Sequence, residues 1–213
     1  MYQQFRPARI TKGVLNLILI NGILFLATWA FAKQTAHQES PVDLRQMLGL
    51  YFPTTPEFKW YQIFTHMFMH EGFMHIAVNM YGLWLFGTKL ENVWDTKRFI
   101  LFYFICGLGS VVLSWTAGYA GLVDLYSYSI GASGAVSGLL VGYSFLFPST
   151  EFMIIPIPIP IKIKNLALIF AGYDLIFGLL NLDNVGHFAH LGGMAAGLLT
   201  LLYWRKSNRR TLY

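Results

Sequence analysis

Six stretches of this chain are apolar for close to the length a helix needs to cross about 30 Å of hydrocarbon, about 20 residues. They run Val14–Ala32, Gly72–Leu90, Phe99–Ala120, Ser133–Phe147, Leu166–Leu182 and Phe188–Trp204. Backbone in lipid must satisfy its own hydrogen bonds, so the pattern predicts an all-α membrane protein, a bundle of six transmembrane helices. One membrane domain then spans residues 1–213. The chain is 55% hydrophobic and 12% charged, against about 45–50% and about 25% for soluble domains. That excludes a disordered chain and argues against a soluble enzyme. The single cysteine, Cys106, excludes an intramolecular disulfide framework and any multi-cysteine metal site. The first stretch is long and has no small-x-small cleavage site after it, so it reads as a span and not as a removable signal.

Orientation follows from Lys and Arg, which concentrate in short cytoplasmic loops. With the N-terminus inside, twelve of the fifteen basic residues face the cytoplasm: Arg6, Arg9, Lys12, Lys89, Lys97, Arg98, Lys162, Lys164, Arg205, Lys206, Arg209 and Arg210. Only Lys33, Arg45 and Lys59 lie outside. Both termini are therefore expected in the cytoplasm: segment 1–13 and a basic tail, 205–213. The net charge of +5 is topology signal, and no nucleic-acid partner is expected.

The connection 33–71 is expected to be a long external loop, with Trp60-Tyr61-Gln62-Ile63-Phe64 at the membrane interface. Ile155-Pro156-Ile157-Pro158-Ile159-Pro160-Ile161 cannot be helical, because proline lacks the N–H, and reads as a stiff extended connector. The fourth stretch has fifteen residues, about 22 Å of helix, less than the bilayer core. Its N-terminus should then lie below the outer surface, preceded by non-helical backbone over Gly121–Ala132. Such backbone is tolerated only within protein or beside water. Ser133 is thus expected at a buried, hydrated helix N-terminus.

Strongly polar residues inside spans are candidates for function. They are few: His75 and Asn79 in the second stretch, Ser133 opening the fourth, Asp174 in the fifth, and His190 in the sixth with His187 just before it. Spans two, four and six all run inward, so His75, Asn79, Ser133, His187 and His190 share one outer level. Gly134, Gly138 and Gly142 form a small-residue stripe on span four, and Gly193 and Gly197 form one on span six. Such stripes let helices approach closely in lipid. Packing them together would bring the Ser133 hydroxyl to the His190 imidazole, a nucleophile beside a base. Ser133 at a helix N-terminus has unpaired N–H groups and the positive dipole end near it. His75 and Asn79, four residues apart, share a face and can add donors to the same oxyanion. No aspartate lies at that depth with evident reach, so a Ser–His dyad without an acidic third member is expected.

Each residue alone has a plainer reading. A serine among glycines is usually packing, and a membrane asparagine is usually helix glue. It is the agreement in level, spacing and face that points to acyl transfer. Two other chemistries compete. His70-Glu71-Gly72-Phe73-Met74-His75 has one residue too many for a zincin motif. His66 and His70 have ligand-like spacing but no clear acidic partner, so no metal and no cofactor are expected. Asp174 with the histidines would suit a proton-coupled carrier, although no internal repeat is evident. A carrier would lose transport on Asp174→Asn, whereas a dyad protease would largely keep cleaving.

Five phrases in order resemble the rhomboid family of intramembrane serine proteases, over roughly Tyr61 to Trp204. They are Phe64-Thr65-His66-Met67-Phe68-Met69-His70, His75-Ile76-Ala77-Val78-Asn79, Gly87-Thr88-Lys89-Leu90-Glu91, Gly131-Ala132-Ser133-Gly134 and Ala189-His190-Leu191-Gly192-Gly193. The resemblance implies a six-helix fold around a water-filled cavity open to the outside. It implies Ser133 as nucleophile and His190 as general base and acid. The oxyanion hole would be His75, Asn79 and the Ser133 backbone N–H, with His70, Gly131 and Gly134 in support and His187 as cavity lining or a structural residue. Substrates would be single-span membrane proteins, cut in or near the transmembrane segment, in the lipid bilayer of a bacterial cytoplasmic membrane. Two positions depart from the family. Gln62 stands where many members have an arginine that supports the loop against the span-two glutamate, here Glu91. Ser137 stands where some have an aromatic stacked on the catalytic histidine. The competing reading within the family is a catalytically silent protein that binds membrane clients; the presence of both Ser133 and His190 argues against it.

Overall fold

The computed structural model describes residues 9–35, 43–154, 157–182 and 186–207. Arg6, Arg209, Arg210, Pro41 and the Ile155-Pro156 pair therefore lie outside the described residues. The chain is dominated by helices: α1 Lys12–Thr35, the short α2 Leu44–Leu48 and α3 Gln62–Thr65, α4 Phe73–Gly82, α5 Thr88–Tyr119, α6 Ser133–Leu146, α7 Ile163–Leu180 and α8 His187–Ser207. A π-helical turn, Leu83–Gly87, joins α4 to α5 without a break.

The stretch from Phe73 to Tyr119 is 47 residues long but is not one rod. Asp95 has φ 69° and ψ 167°, a conformation that L-residues avoid, and there the chain turns back. The Trp94 and Phe102 rings lie 4.9 Å apart. Eight residues of straight helix would separate them by about 12 Å. Asp95 Oδ1 accepts from the Arg98 N–H and so starts the returning helix as a cap. The polar segment between the second and third apolar stretches is thus helical except at one corner.

Glu91 explains why helix continues to this corner. Its carboxylate, 5% exposed, accepts the N–H groups of Gly13 at 2.8 Å and Val14 at 2.9 Å and the hydroxyls of Thr11 and Thr96. A negative charge on the free N–H groups of the first turn of α1 satisfies orphan donors and the helix dipole together. Farther along α1, Thr28 bonds back to Leu24 and touches Met69 of the loop. Fifteen residues of helix, about 22 Å, separate Gly13 from Thr28. Glu91 therefore sits far from Gln62, and the support that many members draw from an arginine against this glutamate has no counterpart here.

Gln62 anchors the loop itself. It is 1% exposed. Its Oε1 accepts from the N–H groups of Lys59 and Tyr51, and its Nε2 donates to the carbonyls of Met47 and Glu57. Trp60, by contrast, is 74% exposed, as an interfacial residue should be. The loop is fastened to the segment before α6 by reciprocal backbone bonds between Leu50 and Ser129.

Helices α5, α6 and α8 pack on one another at the centre, around Leu139, Phe99, Phe102, Cys106 and Leu201. Glycine makes this possible. A Cβ on Gly193 would lie 1.8 Å from the Gly134 carbonyl oxygen, and one on Gly138 2.9 Å from that of Gly193. The two stripes therefore meet as expected. The described part of the proline-rich connector is extended: Glu151–Ile154 (β1) pairs antiparallel with Ile157–Lys162 (β2). Both strands are edges, so Pro158 and Pro160 break no interior ladder.

Outward faces of α1 and α7 carry large apolar side chains, among them Ile23, Leu26, Trp29, Leu168 and Ile176, each more than half exposed. Such continuous apolar surface suits lipid and not water. By length and composition, α1, the Phe73–Tyr119 stretch and α7 can cross a membrane. Helix α6 is shorter, at 14 residues. Helix α8 has 21 residues but carries His187 and His190 at one end and Arg205 and Lys206 at the other.

Candidate active site

Ser133 is the first residue of α6. Its position is set by the backbone ahead of it. Gly131 has φ +121°, open to glycine and strained for other residues, and its N–H donates to the carbonyl of His66 at 2.9 Å. His66 is itself buried, with Nδ1 2.9 Å from the Gln62 carbonyl. Burial lowers its imidazole to about 4, so it is neutral at pH 7 and donates from Nδ1. A chain of contacts thus runs from Gln62 through His66 to Gly131 and Ser133.

His190 reaches Ser133 from α8: Nε2 lies 2.9 Å from Oγ. The ring is reached by solvent on one side, with the side chain 19% exposed. Ser133 is also partly exposed. The glycine contacts place this pair, because Gly134 and Gly193 touch just below it. Gly134 also has no room for a side chain against Ser110 of α5 and the Ala189 carbonyl.

His75 approaches from α4. Its Nε2 would be 2.7 Å from a Cβ built on Gly131, so the ring lies against the backbone that leads into Ser133. Nδ1 faces the Glu71 N–H at 3.4 Å. A ring that accepts at Nδ1 carries its proton on Nε2, the nitrogen that lies against Gly131. His70 is 2% exposed and packs edge-on against His75 at 5.1 Å. Burial, then the proximity of His75, pushes its imidazole to about 4, so it lies beside His75 as a neutral ring. Asn79 is buried one turn below His75, and its Nδ2 donates to the His75 carbonyl at 2.8 Å. One amide hydrogen is thereby used within the helix, and one remains.

One expectation is overturned. An aspartate does reach the site. Asp174 of α7 is 2% exposed, and its Oδ1 lies 3.0 Å from His190 Nδ1 and 2.7 Å from His187 Nδ1. Depth along the spans does not reveal it, because side-chain reach and not only the level of the span ends decides the contact. Asp174 lies six residues before the end of α7, and His190 three residues into α8. The offset is about one helical turn, which two side chains bridge. The hairpin count, with one acid among apolar residues of α7, was the available signal. His187 is accordingly a buried partner of this carboxylate, the structural one of its two expected roles.

Asp174, His187 and His190 also form the one group of three metal-ligand side chains that converges among the described residues, with donor atoms within 4.8 Å of one another. Both imidazole-to-carboxylate contacts are at hydrogen-bond length, and a cation would have to displace the protons in them. His66 and His70 do not belong to any such group.

As an arrangement, a hydroxyl at a helix N-terminus, an imidazole within bonding distance and a second imidazole beside the same backbone can carry out acyl transfer. The sequence matches the Rhomboid domain family over residues 57–207. It is 29% identical over 210 residues to Rhomboid-like protein 11, chloroplastic, of Arabidopsis thaliana, covering 93% of this chain and 67% of that protein. It is 27% identical over 183 residues to Putative rhomboid protease YdcA of Bacillus subtilis, covering 85% of each. To Rhomboid protease GluP of the same organism it is 31% identical over 139 residues, 65% of this chain and 25% of GluP, so that match is confined to one part of a longer protein.

Proposed function

This chain belongs to the rhomboid family, and we propose that it is an intramembrane serine endopeptidase acting on single-span membrane proteins in the lipid bilayer. The observation that carries the reading is the 2.9 Å contact between Ser133 Oγ and His190 Nε2, on a serine at a helix N-terminus.

Ser133 Oγ attacks the carbonyl carbon of an unwound substrate segment while its proton passes to His190 Nε2. The oxyanion forms beside the Ser133 backbone N–H, with the Nε2–H of His75 and the remaining amide hydrogen of Asn79 as further donors. His190 returns the proton to the leaving amine. Water, deprotonated by His190, then hydrolyses the acyl-enzyme. No metal or cofactor takes part in these steps. Substrates with small or helix-breaking residues at the cut suit the site, because a continuous helix hides its carbonyls in its own hydrogen bonds.

The same reading has six spans. Asp95 makes two of the Phe73–Tyr119 stretch, and α6 and α8 join α1 and α7. The twelve-to-three bias of basic residues supports cytoplasmic termini. A bacterial cytoplasmic membrane suits this compact pattern, although relatives named as mitochondrial and chloroplastic also match.

The test is cleavage of a model single-span substrate by the full chain in liposomes. Wild type is expected to cut and Ser133→Ala to leave the substrate intact. Equal cleavage by both would end the proposal.

A further inference from the structure

Nothing in the mechanism above requires Asp174, yet the fold holds its carboxylate against the proposed base. A carboxylate inside an apolar helix is costly unless it is paired. On α7 the neighbours Tyr173, Leu175 and Ile176 are 43–55% exposed, while Asp174 is 2% exposed. One partner, His187 at 2.7 Å, would suffice to hold α7 on α8. The second bond, to His190 at 3.0 Å, adds nothing that packing needs. It joins the ring nitrogen opposite the one that meets Ser133.

We propose that Asp174 is a positioning residue of the protease site. Its carboxylate holds the proton of His190 on Nδ1, aims Nε2 at Ser133, and stabilises the imidazolium formed when Ser133 gives up its proton. The proton stays on His190 until the amine leaves and does not pass to Asp174. His187 donates to the same oxygen and keeps the carboxylate in place. The other groups facing His190 are His75 from α4 and Ser133 from α6; neither can take the Nδ1 proton. This inference rests on the protease reading and reverses the expectation that Asp174→Asn leaves cleavage largely unchanged.

Asparagine keeps the size of the side chain and removes the charge. With its oxygen toward the histidines it leaves the imidazolium unbalanced. Turned around, it donates to the ring and forces the proton onto Nε2. The full chain in liposomes is expected to lose about 10²–10⁴-fold in kcat on Asp174→Asn, with KM changed less than threefold. Asp174→Glu, which restores the carboxylate, should recover at least tenfold of that loss. A purely structural clip would lower stability without this split.

Should the variants fail to fold, nitrogen-15 NMR of the histidine-labelled wild type decides, with His190→Gln giving the assignment. The expected His190 signal is the Nδ1–H tautomer; the Nε2–H tautomer would overturn the inference. So would a folded Asp174→Asn variant with kcat within threefold of wild type. Wild-type cleavage abolished by Ser133→Ala is the control. If it fails, the protease reading falls; if it holds while Asp174→Asn is unimpaired, only this inference falls.

Discussion

Gly193→Ala is the most demanding perturbation of the account, because it adds one methyl group and changes no charge. The new Cβ would stand 1.8 Å from the carbonyl oxygen of Gly134, a backbone atom that cannot rotate away. Ordinary contact is about 3.4 Å, so α6 and α8 must part by about 1.6 Å. His190 lies one turn before Gly193 on the same helix. A rigid shift of that size stretches the 2.9 Å Ser133–His190 contact to about 4.5 Å, beyond hydrogen bonding. Overpacking of this kind costs about 1–3 kcal/mol, and misplacing catalytic groups by about 1 Å costs about 100-fold in rate. Gly172→Ala, on the open face of α7 with no atom within 4 Å of its Cβ, is the control. It should keep wild-type cleavage and gain about 0.4–1 kcal/mol. Cleavage in liposomes and thermal unfolding in detergent read both effects. A Gly193→Ala variant with wild-type turnover and melting temperature would refute the close-packing argument.

Other outcomes follow from single residues. His190→Ala should abolish cleavage while leaving the melting temperature near wild type; retained turnover would remove it from the chemistry. Asn79→Ala should reduce activity only in part, by about 10²–10³-fold in kcat as one oxyanion donor lost, about 2.7–4 kcal/mol. A change in KM alone would contradict that role. Gln62→Ala leaves buried backbone groups without partners, at about 1–3 kcal/mol for each orphaned donor. It should lower the melting temperature and raise proteolysis of the loop, and an unchanged melting temperature would show that the loop is held elsewhere.

The helices were legible because lipid forces long apolar runs, and the Ser133–His190 encounter because glycine stripes at four-residue spacing say which faces meet. What escaped was set by single side chains acting across the chain. The corner at Asp95 could not be placed within the polar stretch, since Glu91 draws helix onward by capping α1. Gln62 looked like a missing arginine, but it satisfies the loop with four hydrogen bonds of its own. Proline makes an extended connector legible, but the antiparallel pairing of β1 with β2 is not advertised by proline-rich sequence. Asp174 is visible in the sequence as an acid among apolar residues, but its reach across a helical hairpin is a matter of side-chain length as well as depth.

The central claim is that Ser133 is an activated nucleophile. The direct measurement is to treat the folded, full-length protein with a fluorophosphonate, which phosphonylates serines activated by a neighbouring base, and to locate the adduct by mass spectrometry. The account predicts one adduct, on Ser133, absent from His190→Ala. An adduct on another residue, or none on a folded wild-type protein, would contradict it.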